Sequence, residues 1–207
     1  MYWVEFLTIA VAHLFAVASP GPDFAVVTKQ CVTGGTKAGV WTSLGVGTGI
    51  LLHVAYCLLG VAVLLFQSPS LFSTLKLVAA GYLLYLGINS IRKSLASGPI
   101  ESFSTAQPTI EPGKAFILGF LTNGLNPKAT LFFLALFTVV ISPTTPIFIQ
   151  LFYGLYLASA TFLWFALLSR FMGRPSVRET ILRAGHWFER AMGTILILLA
   201  IQIAFNS

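Results

Sequence analysis

A chain of 207 residues that is 57% hydrophobic and 9% charged, with a mean hydropathy of +0.88, is far from the roughly 25% charged residues of a soluble globular domain. That composition excludes a water-soluble enzyme or binding domain. It also removes any need for nucleic acid to explain the +6 net charge, which has a topological reading instead.

Six apolar stretches, at about 3–28, 39–66, 71–91, 114–142, 146–171 and 187–205, approach or exceed the roughly 20 residues a membrane-spanning helix needs. The predicted fold is an all-α membrane protein, a single transmembrane domain over 1–207. Repeat 1 covers about 1–93, a cytoplasmic linker about 94–113, and repeat 2 about 114–207. In the first stretch Ala16-Val17-Ala18 resembles a signal-peptide cleavage site. Yet a basic leader is missing and Glu5 stands in its place, so the segment is read as retained.

Within that stretch lies Ser19-Pro20-Gly21-Pro22-Asp23, and within the fourth lies Asn123-Gly124-Leu125-Asn126-Pro127-Lys128. Each interrupts an apolar helix and each carries one charge, negative in the first and positive in the second. A charge at the bilayer centre costs about 2.5–3.5 kcal/mol on insertion scales, so it marks a functional site by default. Proline lacks an N–H, so Pro20, Pro22 and Pro127 free the carbonyls of Ala16, Ala18 and Asn123. Gly21 opens backbone angles closed to other residues. Helices restarting after Pro22 and Pro127 offer free N–H groups to a carboxylate, and the freed carbonyls suit an ammonium. Together the breaks match a zwitterion. Asp23 and Lys128 fit two roles: partners of substrate, or a permanent ion pair holding the halves together. Asn123 and Asn126 can serve the same site or simply satisfy the local backbone.

The second stretch carries Gly45, Gly47 and Gly49, a spacing that permits close helix approach. His53 in this stretch and His13 in the first are candidate proton relays, with hydrogen-bonded packing as the ordinary alternative. The third stretch holds Tyr82, Tyr85 and Asn89, either polar-tipped lining or interfacial packing. Its Ala79-Ala80-Gly81 aligns with Ala191-Met192-Gly193 of the sixth, just as Pro22 aligns with Pro127, so the two halves read as inverted three-helix repeats. The linker is rich in Pro, Gly and Ser/Thr, and 173–186 is basic enough for an interfacial helix on anionic lipid.

Ten of the twelve Lys and Arg flank connections on one side; Lys76 lies opposite and Lys128 lies inside a span. The positive-inside rule then puts both termini on the periplasmic side. Cys31 and Cys57, one at a helix end and one mid-span, read as small packing residues. A membrane thiol or electron carrier would need them paired. No catalytic motif appears, so an enzyme is not expected, and nothing calls for a cofactor or metal.

The motifs carry a family resemblance. Ser19 to Asp23, then Leu75-Lys76-Leu77 with Gly81-Tyr82-Leu83-Leu84-Tyr85-Leu86-Gly87, then Gly119-Phe120-Leu121-Thr122-Asn123 with Asn126-Pro127-Lys128-Ala129, resemble in order the first, third and fourth helices of the LysE/RhtB amino-acid exporters. Ala79-Ala80 depart from a stretch often richer in glycine, which bears on packing and not on chemistry. The resemblance implies proton-coupled efflux of an amino acid across the bacterial inner membrane, with protons and membrane lipid as partners and a homodimer as one assembly open to it. Homoserine, threonine and basic amino acids are typical cargo. A lysine-type cargo needs a second buried carboxylate. Only Asp23 sits at a break, so the charge count favours a neutral amino acid.

Overall fold

The computed structural model describes residues 2–67, 69–95, 111–142, 144–172, 180, 186–187, 189–198 and 200–201. Among them there is no strand. The helices are α1 (Tyr2–Ala18), α2 (Pro22–Gln67), α3 (Pro69–Leu95), α4 (Pro112–Gly124), α5 (Pro127–Ala135) and α6 (Ile147–Met172). A π-helical turn, Leu136–Val140, follows α5, and 189–198 are helical. Two stretches, Pro22–Gly60 and Ile147–Met172, are long and apolar enough to cross a membrane; Tyr2–Ala18 and Pro127–Thr138 are apolar but shorter.

Both predicted interruptions are present. α1 stops at Ala18 and the chain re-enters a helix at Pro22; α4 stops at Gly124 and α5 begins at Pro127. Each restart puts proline in the first helical turn, where its missing N–H costs nothing.

The connection expected between the first two spans is different. Residues 29–38 are helical except at Gly35, where φ is 79° and ψ is 176°, angles open only to glycine. The chain reverses there: a Cβ on Gly39 would collide with Cys31 Sγ, although residues eight apart in a straight helix stand about 12 Å apart. One glycine thus replaces a loop, because its neighbours Thr33, Thr36 and Lys37 are compatible with helix. Most of the predicted linker (96–110), most of the basic segment 173–186, and 188, 199 and 202–205 of the last stretch lie outside the described residues. The helices reach further than predicted on both sides of the linker, to Leu95 and from Pro112.

α6 is inside-out relative to a soluble helix. Its exposed face carries Phe148, Leu151, Phe152, Leu155, Leu163 and Leu167, while its buried face carries Gly154, Ala158, Thr161 and Ser169 among larger residues. Large apolar side chains facing out and small or hydroxylated ones facing in are what hydrocarbon surroundings select. Close helix approach follows. A Cβ on Gly45 would strike the Phe116 carbonyl, and one on Gly119 the Thr42 carbonyl, so α2 and α4 touch backbone to backbone. Gly87 on α3 and Gly193 meet the same way: a Cβ added to either would lie 2.7 Å from the other's carbonyl oxygen.

Glu5, expected only as a charge at a helix end, is buried. Its carboxylate accepts from Ser142 N at 3.2 Å, from the Thr145 hydroxyl at 3.0 Å and from the Tyr153 hydroxyl at 3.3 Å. The first turn of α1 is thereby clamped to the 141–146 connection and to α6.

Candidate functional site

The two breaks meet. Asn123 Nδ2 donates to Asp23 Oδ2 at 3.0 Å and Asn126 Nδ2 donates to the same oxygen at 3.2 Å. In return, Lys128 Nζ donates to Ser19 Oγ at 2.9 Å and lies against Gly21. Each break's charge is held by polar side chains of the opposite break. Residues about a hundred positions apart in sequence therefore form one polar cluster inside an apolar protein. The negative charge takes its hydrogen bonds from amides, and Asp23 Oδ1 is buried with no hydrogen-bond partner. An unsatisfied buried carboxylate oxygen is costly and calls for a donor.

Local geometry explains why these residue types stand here. At both restarts the residue before the proline begins the helix: Gly21 O accepts from Ala25 N at 2.9 Å, and Asn126 O from Thr130 N at 3.0 Å. Asn126 also caps α5, its Oδ1 accepting from Lys128 N at 3.0 Å. That corrects part of the sequence reading, since this N–H is taken and is not open to a carboxylate. The carbonyl freed by Pro127 is corrected too. Asn123 O accepts from Asn126 N at 2.9 Å and from His53 Nε2 at 3.0 Å, so it is not waiting for an ammonium. Because a carbonyl only accepts, His53 Nε2 carries a hydrogen, and Nδ1 lies 2.6 Å from the Tyr56 hydroxyl, which also reaches Thr130 O at 3.4 Å. His53 also stacks flat on Phe133, 5.4 Å between centroids. Gly49 leaves the space Asn123 occupies, since a Cβ there would come within 2.7 Å of Asn123 Oδ1.

Around the cluster lies a cavity with about 500 Å³ of free space counting its open mouth. Of the predicted site residues, Ser19, Gly21, Pro22, Asp23, Asn123, Asn126, Lys128 and His13 line it; Pro20, Pro127 and His53 do not. The prolines shape the breaks from behind, and His53 buttresses Asn123. His13 pairs with Thr161 of α6, Nε2 to Oγ1 2.8 Å. Phe24, Phe132, Phe133, Phe165 and Met192 supply the apolar wall. Sequence reasoning missed Tyr56 and Thr161, whose roles depend on which helices become neighbours. Tyr56 alone left a trace, three residues after His53 and so on the same helix face. Cys31 and Cys57 are free, buried and in different apolar clusters, which is the packing role expected of them.

An apolar-faced helical bundle with two interrupted helices meeting at an internal cavity defines a membrane transport protein. The family described as LysE type translocator matches residues 14–207, so the chain belongs to that family and is a membrane transporter, not an enzyme. It is 29% identical over 196 residues to the threonine efflux protein of Escherichia coli K12, covering 92% of each chain. It is 30% identical over 189 residues to the membrane protein YahN of the same organism, covering 91% of this chain and 83% of that one. Similarity to the leucine efflux protein of Salmonella typhimurium is 35% over 147 residues, covering 70% of this chain and 65% of the relative. No solved structure matches the chain significantly.

Proposed function

We propose that the chain exports a small neutral amino acid, threonine or homoserine by preference, across the bacterial inner membrane in exchange for protons. In this reading six helices cross the membrane as two inverted three-helix repeats with both termini periplasmic. The cross-partnered breaks, each restarting a helix at proline, support that architecture.

The observation that carries the reading is one cavity whose wall holds both a carboxylate with an undonated oxygen, Asp23 Oδ1, and the Lys128 ammonium. A zwitterion complements this pair. Its ammonium donates to Asp23 and its carboxylate accepts from Lys128, which turns from Ser19 to reach it. Charge-assisted bonds of this kind are about twice as strong as neutral ones, so orientation is fixed at the polar end. The apolar wall then surrounds the side chain. Likeness to a threonine efflux protein along 92% of the chain supports the cargo class. A basic side chain is disfavoured because Asp23 is the only acidic residue among the described lining residues, and Glu5 is bonded elsewhere. Leucine-type cargo is the second reading, favoured by the aromatic wall and the leucine-efflux relative.

For proton coupling, Asp23 is the carboxylate that a proton and a substrate ammonium would compete for, and His53 is a titratable residue held to the opposite break, on the Asn123 that bonds Asp23. Competition for one group makes transport an exchange.

The test is growth of cells expressing the chain under toxic amounts of single amino acids, followed by efflux of labelled substrate. Rescue by wild type but not by Asp23→Asn for threonine or homoserine is the expected result. Rescue from lysine or arginine alone would sink it, and efflux that ignores an uncoupler would remove the proton.

A further inference from the structure

The polar side chains that line the cavity fall into two hydrogen-bonded groups. At the breaks stand Ser19, Asp23, Asn123, Asn126 and Lys128; among the other described lining residues only His13 and Thr161 carry polar side-chain atoms. The rest of the wall is apolar, with Ala16 and Val17 lying between His13 and Ser19 along α1 and Phe132 and Phe133 contributed by α5. His13 is 4% exposed and Thr161 2%, so the pair sits in the protein interior and meets the cavity there.

From these positions we infer that His13 and Thr161 form a hydroxyl-selecting subsite, which binds the side-chain oxygen of the cargo while the breaks hold its ammonium and carboxylate. The inference rests on the amino-acid exporter reading above and adds to it the basis of side-chain choice.

Two arguments carry it. The first is length. His13 precedes Ser19 by six residues, all along α1 or its last hydrogen-bonded turn, a rise of about 9 Å. An amino acid whose charged groups and side-chain hydroxyl are three to five bonds of about 1.5 Å apart, with a hydrogen bond of about 2.8 Å at each end, spans a similar distance. The second is hydrogen-bonding capacity. A threonine hydroxyl has one hydrogen and two lone pairs, and the 2.8 Å contact with His13 uses one of these three. If Thr161 donates to the ring, its two lone pairs are left; if it accepts, its hydrogen is left. In either tautomer the pair can still engage a group that both donates and accepts. A hydroxyl does so. A methyl in the same position leaves that capacity unmet, so a valine side chain, the shape of threonine without its oxygen, is the right discriminating probe.

The experiment measures efflux of labelled threonine, homoserine, valine and leucine, normalised to the amount of protein in the membrane. Wild type is expected to favour threonine over valine by about tenfold or more. Thr161→Val should lower the threonine-to-valine ratio about tenfold, the scale of one lost neutral hydrogen bond, while Thr161→Ser keeps it. His13→Phe, which keeps a planar ring, should shift the ratio the same way and covers the case in which Thr161→Val does not fold. A Thr161→Val protein that loses threonine and valine export equally, or keeps the wild-type ratio, overturns the subsite. So does a wild type that exports leucine and valine but neither hydroxylated amino acid, although that result leaves the exporter reading standing. A wild type that moves none of the four takes down the reading beneath.

Discussion

The two breaks are related in sequence but not in construction. The second is the better furnished: Asn126 caps the restarting helix, Asn123 O is filled by Asn126 N and by His53 of α2, and both asparagines are buried, with Asn123 Oδ1 alone of their side-chain oxygens lacking a partner. The first is barer. Pro20 and Gly21 contribute no side-chain donor, both are only partly buried, and the carboxylate of Asp23 draws its hydrogen bonds from across the gap. The difference teaches that the second break is a preformed donor platform, whereas the first depends on it. A motif repeated in inverted halves has become one rigid partner and one dependent partner, and separation of the two costs the first far more.

That asymmetry can be attacked in order of severity. Neutralising either charge should be worst: Asp23→Asn and Lys128→Met are each expected to abolish measurable efflux with protein still in the membrane, and wild-type rates from either would end the comparison. The reversed double variant, Asp23→Lys with Lys128→Asp, should regain stability but not transport if the pair is close and its polarity matters. Next, Asn123→Ala removes a donor to a charged group, worth about 1.5–3 kcal/mol, so initial efflux rates should fall roughly ten- to a hundredfold. Gly49→Ala should act through the same asparagine. Its Cβ would crowd Asn123 Oδ1, and a loss of activity smaller than that of Asn123→Ala, with lowered thermal stability in detergent, is expected. Ser19→Ala should be mildest, about three- to tenfold, because the Lys128 ammonium still faces Asp23 when the Ser19 oxygen is gone. If Ser19→Ala proves as damaging as Asn123→Ala, the breaks are equal partners and the asymmetry is wrong.

How much of this could be read from the chain follows from what each feature depends on. The breaks were legible because proline and glycine act locally: a helix cannot pass Pro20-Gly21-Pro22 in any environment. The glycines of α2 were legible as close-packing positions, and Gly45 and Gly49 do meet α4. The exchange of partners between breaks was legible only as a set of candidates, since which amide reaches which oxygen depends on how the helices pack. The 29–38 connection misled because lysines flanking glycines suggest a loop, whereas a single residue with φ near 79° suffices to turn the chain. Glu5 misled for a related reason. An acid in the first turn of a helix normally needs no partner beyond the helix dipole, and only the distant Ser142, Thr145 and Tyr153 reveal that it is buried.

The clamp at the start of α1 bears on the order in which the protein can be assembled. Glu5 is satisfied by residues 137 to 148 positions downstream, and His13 by a partner 148 positions away. At a synthesis rate of about 5–20 residues per second, roughly 7–30 s pass between emergence of these two side chains and emergence of what they bind. During that interval the first helix made lacks the partners that hold its two buried polar groups. Its carboxylate and imidazole have to wait at the bilayer edge or beside the insertion machinery, so the earliest part of this protein reaches its final position only when the fifth apolar stretch has arrived.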